Sequence, residues 1–200
     1  MSYIEELLSM TYDECVDSLL KKYGSVPKDY FLDADCIKKT PGITRGKEGL
    51  YIHHIDEDKA ILLSTPDHAR LNSFDYQKAD RLVYCNLLEH LVLHIKIVEY
   101  PNVEQNYGQI CGIGGITNFI VPELNDIYSG IVYKQEWKKK VIEVVLPYKA
   151  DYLKCIKKIV DMNIHVPLLS SFIFNEKAGI WSKDKNEELF RELKKIGVKY

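Results

Sequence analysis

The chain has 200 residues, 46% of them hydrophobic and 28% charged, and a formal net charge of −2. That length supports one substantial domain with a real apolar interior, and the composition excludes a disordered chain. No apolar run approaches the ~20 residues a bilayer span requires, which excludes a membrane-spanning reading.

The predicted elements begin with two short helices, over residues 3–9 and 11–23, with Thr11 and Asp13 as capping candidates and Gly24 as a stop. The acids in these first turns mark an amphipathic helix and not a secretion signal. Residues 25–49 are rich in turn formers and read as irregular. "LYIHH" then reads as a strand and "AILLS" as a second candidate, followed by a short helix plus loop through Asp80. "RLVYC" is a further strand candidate, rich in the branched and aromatic types that strands prefer. A helix starts at Asn86, a good N-cap, with Glu89 placed to reach back in a capping box, and Pro101 ends it. "NVEQNYGQICGIGG" reads as a flexible connection. It lacks the Gly-Lys-Ser/Thr ending of a phosphate-binding loop, so a hinge is the better reading. From there the pattern is helical over roughly 116–128, 134–146, 148–163 and 184–196.

The five cysteines, Cys15, Cys36, Cys85, Cys111 and Cys155, form no CxxC pair. This argues against a zinc ribbon and for a reducing, cytoplasmic setting in which cysteine packs as a small hydrophobe. Cys85 has no assignable histidine partner, and His165, before Pro167, reads as a loop or core residue.

Four of the six histidines fall in two patterned pairs. His90 and His94 are four apart on a predicted helix, so they share a face and can bind one ion. Taken alone, such a pair is more often two separately buried or solvated residues, with a metal site in roughly one case in four. His53 and His54 are adjacent on a predicted strand and must point to opposite sides, so they should have different jobs. The natural division makes one a metal ligand and the other a general base, since imidazole titrates near neutrality.

The run "GLYIHHIDED … ADRLVYCNLLEHLVLH" resembles the ββα-metal core of the HNH nucleases, and its HH then HxxxH order is most similar to the colicin-type DNase branch. The resemblance covers about residues 46 to 97. It implies that His53, His90 and His94 hold one divalent ion (Mg²⁺, Mn²⁺, Ni²⁺ or Zn²⁺) and that His54 activates water. The family's middle asparagine, which pins the loop carrying the base, is replaced here by Arg81. Arg81 would do the pinning or meet a phosphate, with Arg45 and Lys96 as alternative sources of positive charge.

The expectation is therefore an α+β protein: an N-terminal helical segment (1–45), a ββα-metal core (46–101) and a C-terminal helical region (102–200). Its expected activity is metal-dependent hydrolysis of phosphodiesters in DNA, most readily duplex, or in RNA. Arg45, Lys47, Arg70, Lys96, Lys138 and Lys139 are the candidate nucleic-acid contacts. The lysine-rich stretch 134–158, with Trp137 and Tyr148 in it, reads equally well as a solvated helix pair. An alternative is a non-catalytic, metal-stabilised fold that binds nucleic acid or a protein partner, a second copy of the chain included. A third is a hydrolase of a small phosphodiester, which would need a narrow pocket in place of an open basic face.

Overall fold

Capping boxes start the first two helices. In α1 (Tyr3–Ser9) the Ser2 hydroxyl accepts from the Glu5 amide at 3.2 Å while the Glu5 carboxylate accepts from the Ser2 amide at 2.7 Å. Thr11 and Glu14 repeat the exchange at α2 (Tyr12–Tyr23), and Gly24, at φ 77°, ends it. The computed structural model describes residues 1–164 and 181–199, so His165 lies outside the described residues.

Residues 25–50 contain no long element but bury Val26, Phe31, Cys36, Ile43 and Leu50 against Leu82 and Tyr84, forming a small second core. The chain then enters β1 (Tyr51–His54), a 3₁₀ turn over Ile55–Asp58, and the single-turn helix α3 (Pro66–Ala69). "AILLS" is not a strand. Leu62 adopts φ 57°, a left-handed conformation that breaks an extended run, and the segment turns through the surface with Ala60 and Leu63 tucked inward. Two further 3₁₀ turns lead into β2 (Leu82–Cys85), which pairs antiparallel with β1, Tyr51 opposite Cys85 and His54 opposite Leu82.

β2 feeds directly into α4 (Leu87–Glu99). Asn86 Oδ1 accepts from the Leu88 and Glu89 amides at 2.9 and 3.0 Å, and Glu89 returns the bond to the Asn86 amide at 2.7 Å. This helix is buried on nearly every side because it runs through the middle of the molecule. α1, α2, β2, α4 and the later helices share one apolar cluster that includes Leu7, Leu19, Leu91, Tyr152 and Leu189. After a loop come α5 (Ile113–Gly115), a π-helical turn (Ile116–Ile120) and α6 (Val121–Tyr128) as one continuous helical run, then α7 (Glu136–Val145), α8 (Lys149–Asp161) and α9 (Lys183–Lys195). The described residues are thus mixed helix with one two-stranded antiparallel sheet, an α+β arrangement. None of their helices is long and apolar enough to cross a membrane.

Candidate metal centre

Strand alternation sends His53 toward α4 and His54 to the opposite face. On α4, the four-residue spacing stacks His90 and His94 beneath His53, with ring centroids 4.9 to 5.2 Å apart across the three pairs. The 3₁₀ turn after β1 folds back and delivers a fourth donor, Glu57. Its Oε2 lies 3.2 Å from His94 Nε2 and 3.4 Å from His53 Nδ1, and His90 Nε2 lies 3.2 Å from His94 Nε2. One donor atom from each of the four residues falls within 4.8 Å of the others, a grouping that can hold a metal ion. Ligands at about 2.0 to 2.2 Å from a shared ion stand roughly 3.0 to 3.6 Å apart, so the three short separations already fit, and a small closure would complete the set.

The hydrogen bonds around the cluster decide which nitrogens are bare. His94 Nδ1 faces the Gly112 carbonyl at 3.1 Å. A carbonyl only accepts, so Nδ1 carries the proton and Nε2 offers its lone pair to the cluster. His53 is set by Tyr12. The Tyr12 hydroxyl donates to the Ile55 carbonyl at 2.8 Å, so its oxygen accepts from His53 Nε2 at 2.8 Å, which leaves His53 Nδ1 bare. That atom is buried and has no hydrogen-bond partner. Bare nitrogens facing each other and a carboxylate repel unless a cation sits among them, and this donor chemistry is what a divalent ion requires.

Burial disfavours the charged form of His53 and His90. It pushes His53 well below the usual imidazole range, with Glu57 offsetting only part of the effect, and it holds His90 down at about 3. Burial alone would raise the Glu57 carboxyl, but the hydrogen bond at His94 and the attraction of His53 and His94 outweigh it and hold it well below the carboxylate range.

The glycine-rich run packs directly against this site. Gly112, at φ 84°, supplies the carbonyl for His94, and a Cβ there would meet the His94 carbonyl at 3.0 Å. A Cβ on Gly115 would come within 2.3 to 2.8 Å of three His94 ring atoms, so the imidazole lies flat on a residue with no side chain. Beyond His90, His94 and Glu57 opens a cleft of about 340 Å³ walled by Ile61, Leu62, Ile110, Phe119 and Ile120.

Comparison with protein-family models, with curated proteins and with solved structures returned no match.

Of the residues expected from sequence, His53, His90 and His94 come together and are joined by Glu57. The signal that could have found Glu57 is its place in the acidic turn directly after the histidine pair. His54 is not at the cluster. It is fully buried, bonded through Nε2 to Gln77 Oε1 at 3.0 Å and packed edge-on against Tyr30, and burial lowers its pKa. Arg81 forms a two-toothed ion pair with the buried Asp56, at 2.7 and 2.6 Å, so it pins the turn that carries Glu57 and presents no free guanidinium. Lys96 is 2% exposed, donating to the Leu8 carbonyl at 2.6 Å and to Glu99 at 2.8 Å, which removes it from any nucleic-acid surface. Arg45 is held by Glu48 and the Tyr23 carbonyl, Arg70 by Asp67, Lys138 by Glu123 and Lys139 by Glu136; Lys47 is exposed.

Proposed function

We propose that the chain is a metal-dependent phosphodiester hydrolase, with His53, His90, His94 and Glu57 holding one divalent ion on a ββα unit like that of the HNH nucleases. The observation that supports this is the convergence of one donor atom from each of three imidazoles and one carboxylate, with His90, His94 and Glu57 lining a cleft. A donor set dominated by imidazole suits Zn²⁺ or Ni²⁺ better than Mg²⁺ or Mn²⁺, which favour oxygen ligands and waters. When bound, such an ion would polarise a phosphoryl oxygen and acidify water at neutral pH. Tyr12 and Gly112 fix the tautomers that make His53 and His94 donors. Glu57 brings a negative charge to the centre and is the one carboxylate lining the cleft among the described residues. In this reading His54 supports β1 from behind and takes no part in proton transfer.

The test is hydrolysis of bis(p-nitrophenyl) phosphate and nicking of plasmid by protein loaded with each ion in turn. Activity should require the ion, vanish in His90→Ala and survive in His54→Gln within a few-fold. Loss of activity in His54→Gln with metal content unchanged would return the general-base role to that residue. A second reading, a metal-stabilised scaffold without catalysis, draws on one observation: His54 and Arg81, the residues that would handle water and phosphate in a nuclease, are both committed to buried structural contacts. It predicts a chelator-sensitive melting temperature and no turnover with any ion.

A further inference from the structure

The cleft says what kind of phosphodiester can reach the ion, an inference that rests on the hydrolase reading above. Its volume of about 340 Å³ lies near the lower end of the ~300–1,000 Å³ range for small-molecule sites. A duplex approaches a protein through many phosphates, each met by a lysine or arginine. Among the described residues no lysine or arginine lines this cleft, and Arg81, Arg70 and Arg45 are tied to Asp56, Asp67 and Glu48. What the cleft does offer is exposed apolar surface next to the metal donors: Phe119 is 58% exposed, Ile110 74% and Ile61 37%. Phe119 sits beside Asn118 on the π-helical turn, an irregularity often found at functional sites, and both line the cleft. An exposed aromatic ring at the edge of a metal centre is a platform for a flat aromatic group, and the neighbouring Asn118 amide can hydrogen-bond the edge of such a group.

We propose that the site takes a phosphodiester carrying one unpaired aromatic group the size of a single nucleobase, stacked on Phe119 with its phosphate at the ion, and that it does not act on paired duplex. The phosphodiester is hydrolysed conventionally: water adds to phosphorus, the P–O bond breaks, the leaving oxygen departs with the bond's electron pair, and the proton released from the water goes to solvent.

The experiment uses the full chain loaded with Ni²⁺ or Zn²⁺ and three probes: bis(p-nitrophenyl) phosphate, a single-stranded 20-nucleotide DNA, and the same DNA annealed to its complement. The aryl diester and the single strand should be hydrolysed, and the duplex at least tenfold more slowly. Phe119→Ala, which removes an exposed ring and leaves the core intact, should raise KM for the aryl diester about tenfold, the size expected of a lost stacking contact, with kcat nearly unchanged. Equal rates on single strand and duplex, or an unchanged KM in Phe119→Ala, would overturn the substrate inference while leaving the hydrolase reading in place. No turnover of any probe by metal-loaded protein would overturn both.

Discussion

Replacing Gly115 by alanine sets two effects of opposite sign against each other. Gly115 has φ −62° and ψ −46°, ordinary helical values, so its backbone accepts alanine and should gain up to about 1 kcal/mol of helix propensity. Against this, the new methyl would lie 2.3 Å from His94 Cε1, 2.5 Å from Nδ1 and 2.8 Å from Nε2. Normal contact needs roughly 3.4 Å or more, so the imidazole must move by about 1 Å, and overpacking of this kind costs roughly 1 to 3 kcal/mol. Movement also breaks the bond from His94 Nδ1 to Gly112 and takes Nε2 away from Glu57 and His90. Loss of outer support for a metal ligand typically lowers affinity by about 10- to 100-fold, or roughly 1.4 to 2.8 kcal/mol. Gly114→Ala is the control: its methyl would meet only Asn118 Nδ2, at 3.8 Å, so it should keep full affinity with unchanged or slightly higher stability. Titrating Zn²⁺ against a chromogenic chelator, with thermal melts in EDTA alongside, separates the two contributions. Wild-type affinity in Gly115→Ala would refute the idea that His94 is a ligand held in place by the glycine turn.

Arg81→Ala should lower stability by about 1 to 3 kcal/mol, because Asp56 is 1% exposed and would keep only Lys59; the half-exposed position of Arg81 holds the loss below that of a fully buried pair. Denaturant melts measure this, and a variant with wild-type stability but lost turnover would instead place Arg81 on the substrate. Glu99 links α4 to α8 through Lys96 and Lys158. Burial alone would raise its carboxyl, but those two bonds outweigh burial and depress it below 4.5. Its contribution is therefore complete above the unfolded carboxylate range and is lost as pH falls through the lower folded value. The stability gap between wild type and Glu99→Gln, measured in EDTA, should be largest at pH 7 and shrink toward pH 3, and a gap that widened on acidification would contradict the assignment.

Signals confined to a few neighbouring residues were legible in the sequence. Thr11 and Asn86 cap the helices they precede, each closing a box with the glutamate three residues on. The opposed directions of His53 and His54, and the shared face of His90 and His94, follow from strand and helix periods alone. What the periods leave open is where a second face points. The resemblance assigns His54 to activating water, yet the far side of β1 is covered by residues 25–50, an irregular stretch whose burial depends on Tyr30, Phe31 and Ile43 packing over the sheet. "AILLS" has a strand's composition but no partner strand, and an unpaired apolar run satisfies its backbone by turning. Lysine content misleads for a related reason: charge is visible in sequence, whereas Lys96 buried against Leu8 and Glu99 is a matter of tertiary contact.

The candidate centre itself shows why a short motif predicts only part of a site. The strand and helix histidines supply three donors, but each donor's chemistry is set from outside the ββα unit. Tyr12, on α2, chooses the tautomer of His53, and Gly112, beyond the end of α4, chooses that of His94. Gly115 shapes the space in which the ring lies, and the Asp56–Arg81 pair anchors the turn that brings Glu57 in. Five separated segments, at Tyr12, 53–57, Arg81, 90–94 and 112–115, must therefore be in place before the four donors meet. Ion binding should then report on the folding of the whole chain and not of residues 46–101 alone, because a fragment lacking Tyr12 and the glycine turn would keep the histidines yet lose what holds them in the binding tautomers.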